Sequence, residues 1–431
     1  MKINLGSDLI ECLSWSLYEN PIVLFREAIQ NSIDAFSELQ ENWPKLQINL
    51  NLDQSKREIS IKDNGPGLGD QDFNKILGTL GASRKKQRNL AGCRGIGRLS
   101  GLGICDEIII SSKIKGSEFE NQCFIDAKGI KNKLKENNQD SDLAEFLSEF
   151  IKFSKNKCAD NSQSYFTVNY KNIIRLSGDY LLNPQTVEKY VCDIAPIPIS
   201  GTSPIIKNIE NLYKKFMLPY GIAISINENN NIIKKFDEKM FGSENKNLQF
   251  ESYEISSESS QVLGVAWFIH HDYLGALSSS PFRGLRFRHK NILIGCEDTF
   301  SNLFKEQRFN RWTVGEVHSL DPSIRPSVKR DDFEPNASFN ALAYKLKPHL
   351  FKVVQLARKS SVKRVEEKSL ARILEQKPLL KKIQKRLQAK LPKSISKKQA
   401  IEIAEDIFMA SKGKLSPDLI CGAFLTNKIS I

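Results

Sequence analysis

The first part of the sequence predicts an α+β fold, and three patterns support this. Residues 16–36 have the apolar spacing of an amphipathic helix, and residues 58–62 alternate apolar and polar side chains like a half-buried strand. Glycine-rich turns follow this strand at residues 65–69 and 92–103. With 431 residues in all, the chain is long enough for two or three domains with sizeable cores.

The helix predicted within residues 16–36 begins near Pro21 and has two distinct faces. Pro21 suits its first turn, where the missing N–H would be unpaired in any case. Glu27, Asn31 and Asp34 share one face, because they are spaced i, i+4 and i+7. The other face is apolar and consists of Ile22, Phe25, Ile29, Ile33 and Phe36. A polar face of this kind is typically solvated, so a functional interpretation depends on the motifs that follow.

Asp63 ends the predicted strand and opens the turn Asp63-Asn64-Gly65-Pro66-Gly67. Two glycines spaced by one residue permit positive φ and a close approach of the backbone to a ligand. A carboxylate at this point can accept hydrogen bonds from an amino group of a bound base. An ordinary turn would look the same if it stood alone.

Two further glycine motifs follow in order along the chain. Residues 77–86 contain Gly78, Thr79 and Ser83 before a cationic run, and the next motif contains Gly95-Ile96-Gly97. A glycine-rich turn that opens a helix presents free N–H groups and a favourable dipole to phosphate. Each motif alone is weak evidence, but three of them behind a Glu/Asn/Asp helix are a strong combination.

Together these motifs resemble the ATPase domain of the GHKL superfamily, which includes gyrase B, heat-shock chaperones, histidine kinases and MutL. The ninety-kilodalton heat-shock chaperone branch is the most similar. The resemblance is dense over residues 1–115 and patchy afterwards. The matching residues are SLYxN before the helix, Glu27-x-x-x-Asn31-x-x-Asp34, Asp63-x-Gly65-x-Gly67, Leu77-Gly78-Thr79 with Ser83, Gly95-x-Gly97 and the run from Ile104 to Lys113.

The resemblance implies a layered α/β sandwich that binds ATP with Mg²⁺ and hydrolyses it. Glu27 would be the general base for the attacking water, and Asn31 would offer an oxygen to the metal. Asp63 would hold the adenine amino group, while Asp34 would be structural or would contact the base through water. Residues 78–94 are the expected lid. The other implied nucleotide contacts are Gly65, Gly67, Gly78, Thr79, Ser83, Gly95, Ile96 and Gly97.

The chain divides into three predicted parts. Residues 1–182 form the ATP-binding domain, with a polar insert at 128–163 that contains one helix. Residues 183–350 form a mixed α/β domain resembling the superfamily's transducer domain, and residues 351–431 form a basic helical segment. The family carries a phosphate-binding Gly-Thr before the strand predicted at 165–170. Here the nearest match is Thr167, so a plain strand threonine is an equal alternative.

In the superfamily a cation from the second domain reaches the γ-phosphate. Arg330-Asp331 resembles the corresponding Arg-Glu of the chaperone branch, so Arg330 is the first candidate for this catalytic role. Arg325 and Lys329 are neighbouring alternatives. A basic surface loop without a catalytic role would have the same residues, and the sequence does not decide between these interpretations.

Positive charge is concentrated near the C-terminus. Residues 351–431 carry 19 Lys and Arg against 7 Asp and Glu, which accounts for +12 of the net charge of +13. This pattern is compatible with a solvated helical surface or with an acidic partner such as DNA or RNA. The segment lacks aromatic residues interleaved with its lysines, which weakens the case for base stacking.

Composition predicts a cytoplasmic protein without a membrane partner. No apolar run approaches the roughly 18 residues that a spanning helix needs, and the N-terminus lacks a signal-peptide pattern. The eight cysteines show no C-x-x-C spacing, which favours reduced thiols.

The leading hypothesis is a slow, Mg²⁺-dependent ATPase that switches conformation as heat-shock-type chaperones do. A homodimer through the ATPase or C-terminal regions is the expected assembly. Two alternatives stay open: a DNA-associated ATPase clamp resembling MutL or the microrchidia proteins, and a nucleotide-sensing scaffold with little turnover. The sequence names neither a client nor a pathway.

Overall fold

The computed structural model describes residues 20–37, 43–79, 101–135, 143–158, 160–242 and 247–390. The chain separates into two compact units, Met1–Gln355 and Leu356–Ile431. The first unit contains two large β-sheets. The boundary predicted at residue 182 therefore falls inside a compact unit, and the one predicted at residue 350 lies close to its end.

The first sheet has seven strands in the order β5-β4-β3-β6-β2-β1-β8. Neighbouring strands are antiparallel except for β1 and β8, which are parallel. The edge strand β8 comes from beyond residue 182, so this sheet extends past the predicted end of the first domain. The strands are β1 (Gln47–Asp53), β2 (Glu58–Asp63), β3 (Glu107–Lys113), β4 (Phe119–Asp126), β5 (Ile151–Lys157), β6 (Tyr165–Lys171) and β8 (Ala223–Ile226).

Helices pack against this sheet and form its core with the inward side chains of the strands. The predicted apolar stripe of the first helix is buried at all five positions. Burying one such side chain contributes about 1.5–3 kcal/mol, so this stripe fixes the helix on the sheet. The α+β class predicted for this domain is confirmed. The helices are α1 (Val23–Ser37), α2 (Asp70–Leu77), α3 (Ala127–Lys135), α4 (Leu143–Phe150) and α5 (Pro184–Ile194).

The predicted insert differs from the expectation of a single helix. Its described residues contain most of α3, all of α4, and the edge strand β5. Helix α4 ends at Phe150, and the residues from Ile151 pair with β4 instead. Pairing with β4 supplies backbone hydrogen bonds for this polar stretch. The helical spacing of its apolar residues did not indicate this strand.

The second sheet has the order β10-β11-β14-β12-β13, and its central strands are buried. Helix α6 (Ile205–Lys215) contributes to the hydrophobic core around it. A separate two-stranded sheet joins β7 (Ile199–Ser200) and β9 (Lys234–Lys235). The strands of the larger sheet are β10 (Gln249–Ser256), β11 (Val262–His270), β12 (Gly284–His289), β13 (Ile292–Ile294) and β14 (Val314–Ser319).

The β12–β13 hairpin connects the two sheets. Lys290 and Asn291 form its tip with positive φ angles of 52° and 57°, as a tight two-residue turn requires. Ile292 and Leu293 belong to the hydrophobic core of the first sheet. Arg288 donates to the carbonyls of residues 193 and 194 at the end of α5. This hairpin therefore fixes the second sheet beside the helices of the first.

Helix α7 (Ala337–Lys390) has 54 residues. The helix begins before residue 351, where the basic helical segment is predicted to start, and it includes that segment's residues up to Lys390. The helical C-terminal segment as a whole stays a prediction. The rest of the basic helical segment predicted at residues 351–431, from residue 391 onward, lies outside the described residues. No described helix is long and apolar enough to cross a membrane.

The stability of this fold should depend on the protonation of His289. Burial, Lys290 and Arg330 lower the pKa of His289 from 6.5 to about 3, while Asp34 raises it. The unfolded chain therefore binds more protons below pH 6.5, so stability is full above that value and decreases as the pH falls. This histidine alone should remove about 1.4 kcal/mol between about pH 7.5 and about pH 5.5.

The measurement is urea unfolding at those two pH values for the wild type and His289→Asn. Asparagine keeps a polar group near Ser319 Oγ, which lies 2.9 Å from His289 Nδ1, but it does not titrate. The variant should lose less stability on acidification by roughly the stated amount. An identical pH dependence in the two proteins would exclude His289 as the titrating group.

Candidate nucleotide site

Helix α1 places the three predicted polar residues in different surroundings. Glu27 and Asp34 are buried, whereas Asn31, one turn beyond Glu27, is exposed. The Asn20 side chain accepts a hydrogen bond from the Ile22 N–H just before the helix begins. The buried apolar stripe of α1 sets its rotation, so these polar positions follow from helical spacing.

Glu27 forms an ion pair with Arg330, in which Arg330 Nε lies 2.9 Å from Glu27 Oε1. The two side chains are only 9% and 11% exposed. Arg26 Nε lies 3.9 Å from the same oxygen. Among the described residues, neither contact is aligned as a hydrogen bond to that oxygen. Glu27 Oε1 can therefore still accept a hydrogen bond from a donor such as water.

The cation beside Glu27 is thus the first of the three predicted candidates. Arg325 Nε donates instead to the Pro322 carbonyl, which lies 3.3 Å away. Lys329 contributes its backbone carbonyl, which accepts a hydrogen bond from Arg26. This arrangement brings a residue from beyond the second sheet to the helix that carries the predicted base.

Asp63 lies at the end of β2 and is 5% exposed. Its Oδ2 accepts a hydrogen bond of 2.6 Å from Ser32 Oγ, and its Oδ1 accepts one of 2.8 Å from the Gly65 N–H. Burial raises the pKa of Asp63, although these hydrogen bonds oppose the shift. A carboxylate can accept about four hydrogen bonds, so Asp63 can accept an additional donor from a ligand.

Ser32 was not predicted as a site residue. It lies on α1 and reaches Asp63 across 31 residues of sequence. No local pattern in the sequence marks such a contact, because the pairing depends on how α1 is rotated over β2. Its hydroxyl fixes the orientation of the carboxylate that the resemblance assigns to adenine.

Steric constraints explain why the two positions after Asp63 are glycines. Gly67 has a φ of +70°, and a Cβ added there would lie 2.0 Å from the Lys113 carbonyl oxygen. A Cβ at Gly65 would lie 2.8 Å from Asp63 Oδ1. A side chain at either position would clash with neighbouring protein atoms, so glycine permits this compact turn. A close approach of these residues to a bound base stays a prediction.

Gly78 and Thr79 end helix α2. The Gly78 N–H donates to the Asn74 carbonyl at 2.8 Å, and Thr79 Oγ1 donates to the Lys75 carbonyl at 2.7 Å. The remaining predicted contacts, Ser83, Gly95, Ile96 and Gly97, lie outside the described residues, as do residues 80–94 of the expected lid.

Asp34 and Thr167 have surroundings that differ from those of Asp63. Asp34 raises the pKa values of Lys290 and His289, which burial lowers, so its carboxylate acts on the tip of the β12–β13 hairpin. Thr167 is paired with Lys62 in the sheet, and adjacent strand residues point to opposite faces. These positions favour a structural role for Asp34 and the plain strand interpretation of Thr167.

Metal binding would depend on ligands from outside the protein. Among the described residues, no group of three or more His, Cys, Asp or Glu could hold a metal ion. Asn31 supplies one neutral side-chain oxygen near Glu27. Mg²⁺ is commonly held by one or two protein oxygens together with substrate phosphates and water, so this donor set fits a nucleotide-dependent site.

Comparisons with known proteins agree with this arrangement. A family model described as histidine kinase-, DNA gyrase B-, and HSP90-like ATPase matches residues 21–158. Chaperone protein HtpG of Verminephrobacter eiseniae is 30% identical over 132 residues, which are 26% of this chain and 20% of that protein. HtpG of Wolinella succinogenes is 28% identical over 145 residues, which are 28% of this chain and 24% of the relative.

A third relative, HtpG of Polaromonas naphthalenivorans, is 29% identical over 132 residues, or 26% of this chain and 21% of its own. The chain thus spans about a fifth to a quarter of the length of these curated relatives. The family match starts at the turn before α1 and includes the Asp63 turn. Residues 21–158 are therefore similar to the histidine kinase-, DNA gyrase B- and HSP90-like (GHKL) ATPase family, and within it to the heat-shock chaperone branch.

Proposed function

We propose that this chain is a Mg²⁺-dependent ATPase of the chaperone type, which couples ATP binding to a change at the contact between its two sheets. The observation that carries this proposal is the ion pair between Glu27 and Arg330. It joins the carboxylate that the family uses as a base to a cation from a distant part of the chain.

The chemistry assigned to Glu27 is general base catalysis. A buried carboxylate with an available acceptor oxygen can orient a water molecule and remove its proton during attack on the γ-phosphate. Arg330 would stabilise the negative charge that develops on the phosphoryl oxygens. Asn31 would hold Mg²⁺ together with the phosphates, and the bound metal would neutralise part of their charge.

The same ion pair would make turnover slow. In the structure the guanidinium of Arg330 lies beside Glu27, so it must exchange this carboxylate for a phosphate before it can assist hydrolysis. ATP offers a γ-phosphate for this exchange and ADP does not. The exchange therefore distinguishes the two nucleotides and can shift the chain between two conformations.

The biological role that we propose is based on the names of the relatives. They are called chaperone protein HtpG, and we propose a chaperone-like cycle for this chain by that similarity. A homodimer and a cytoplasmic location are part of the same proposal. Suppression of client aggregation in the presence of ATP would support this role.

Adenine recognition should depend on Asp63 and on Ser32. Asp63→Asn replaces an acceptor by an amide that can present a donor, so ATP and ADP affinity should both fall about tenfold to a hundredfold. Ser32→Ala should weaken both nucleotides by a smaller, equal factor, because the carboxylate loses its orienting hydroxyl. Isothermal titration calorimetry measures both effects.

Ser37→Ala is the matched control for Ser32→Ala. Ser37 lies on the same helix, and its hydroxyl donates to the Asp34 carbonyl at 2.7 Å rather than to Asp63. Its removal should leave nucleotide affinity unchanged. If Asp63→Asn binds ATP as tightly as the wild type while still folded, Asp63 does not contact the base.

Hydrolysis should require both members of the ion pair. Glu27→Ala should abolish turnover while ATP binding persists, and Arg330→Ala should lower kcat at least about tenfold with ATP affinity within a few-fold. Arg325→Ala, in the same stretch but not paired with Glu27, serves as the control and should keep near-normal turnover. Unchanged hydrolysis in Glu27→Ala would remove Glu27 from the role of base.

The basic segment stays a separate prediction. Removal of residues 361–431 should leave ATP binding intact and reduce affinity for an acidic partner, because the positive charge is concentrated there. Mobility-shift assays with DNA and RNA at low and moderate salt measure this. Equal shifts with and without the segment would make its charge a solvated surface.

A further inference from the structure

The side chain of Arg26 connects helix α1 to the backbone beside Arg330. Arg26 is 5% exposed and directly precedes Glu27. One of its terminal nitrogens donates to the Lys329 carbonyl at 2.9 Å, and the other donates to the Arg330 carbonyl at 3.4 Å. A single guanidinium thus holds two successive carbonyl groups from 303 and 304 residues away.

The segment that carries Arg330 has its own internal support. We call residues 326–333 the Arg330 loop. The Arg330 N–H donates to the Ser327 carbonyl at 3.1 Å, and the Ser327 N–H donates to the Asp332 carbonyl at 2.8 Å. Phe333 anchors the loop by stacking on Phe339 with ring centroids 5.0 Å apart. The loop therefore has internal contacts of its own, and Arg26 adds an attachment to α1.

The backbone at Arg330 is held in an unusual conformation. Its φ of 57° is in the left-handed region, which is unfavourable for a long side chain. The Gly295 N–H donates to the Arg330 carbonyl at 2.8 Å, and Arg26 reaches the same oxygen. Constraints from helix α1 and from the end of strand β13 therefore meet at this peptide and fix the point from which the Arg330 side chain extends.

The neighbouring position on α1 does not reinforce this attachment. Gln30 lies one turn after Arg26 and is 1% exposed. Within the part of the chain that the structure describes, neither polar atom of its side chain has a hydrogen-bond partner. Gln30 therefore adds nothing to the attachment, which consists of the Arg26 hydrogen bonds and the ion pair of Arg330 with Glu27.

We propose that Arg26 is a positioning residue that docks the Arg330 loop on α1 before nucleotide binds. ATP then requires only an exchange of the Arg330 side chain from Glu27 to the γ-phosphate, with the loop backbone already in place. This inference rests on the proposed function for the role of Arg330 in hydrolysis. The docking itself does not, because it concerns the chain without nucleotide.

The experiment uses the full-length chain with Arg26→Gln, Arg330→Ala and the double variant. ATP affinity, kcat and hydrogen exchange of the Arg330 loop amides are measured, the last with and without nucleotide. Arg57→Gln is the matched control. Arg57 also holds two successive carbonyls, of Ile173 at 2.6 Å and Ile174 at 3.0 Å, at a site away from Glu27.

Arg26→Gln should lower kcat about tenfold at nearly unchanged ATP affinity. It should also speed exchange of the loop amides at least about fivefold without nucleotide, whereas Arg57→Gln should change neither. In the Arg330→Ala background the Arg26 substitution should have no further effect on kcat, since it acts only through Arg330.

Three results would overturn the inference. One is unchanged loop exchange in Arg26→Gln, and another is an equal loss of kcat in Arg57→Gln. The third is a further loss of kcat in the double variant, which would mean that Arg26 acts directly on Glu27. If Arg330→Ala leaves kcat unchanged, the proposed role of Arg330 fails, but the exchange data still decide whether Arg26 docks the loop.

Discussion

The ion pair between Glu27 and Arg330 links helix α1 to the Arg330 loop, and the proposed nucleotide cycle depends on it. Both charged side chains are almost fully buried, so each charge is compensated by the other. Loss of one partner of a buried pair typically costs about 3–5 kcal/mol, because an uncompensated charge remains. The structure avoids this by fixing both ends: the apolar stripe of α1 positions Glu27, and the loop anchored by Phe333 positions Arg330.

The features predictable from the sequence are those determined by local periodicity. The apolar stripe from Ile22 to Phe36 predicts which face of α1 is buried in the core, and therefore where Glu27 lies relative to that face. The alternation of apolar and polar residues predicts strand β2, and the end of that strand predicts the position of Asp63. Arg330 could be nominated only through resemblance to a family, since no local rule connects it to Glu27.

The features that the sequence did not reveal are contacts between distant residues. Strand β8 pairs in parallel with β1, and its hydrogen bonds need only backbone, so its residues carry no signature of that partner. Ser32 and Arg26 act on Asp63 and on the Arg330 loop through the folded arrangement of α1. Strand β5 was hidden because its polar side chains resemble those of a solvated insert.

The central claim is that ATP and Glu27 compete for the Arg330 side chain. Calorimetric titration of Glu27→Gln tests this directly, because the variant keeps the shape of the base but releases Arg330 from its charge. ATP should bind more tightly to Glu27→Gln than to the wild type and ADP should gain less, and the difference should vanish when Arg330→Ala is added. An equal gain for ATP and ADP that persists without Arg330 would contradict the account.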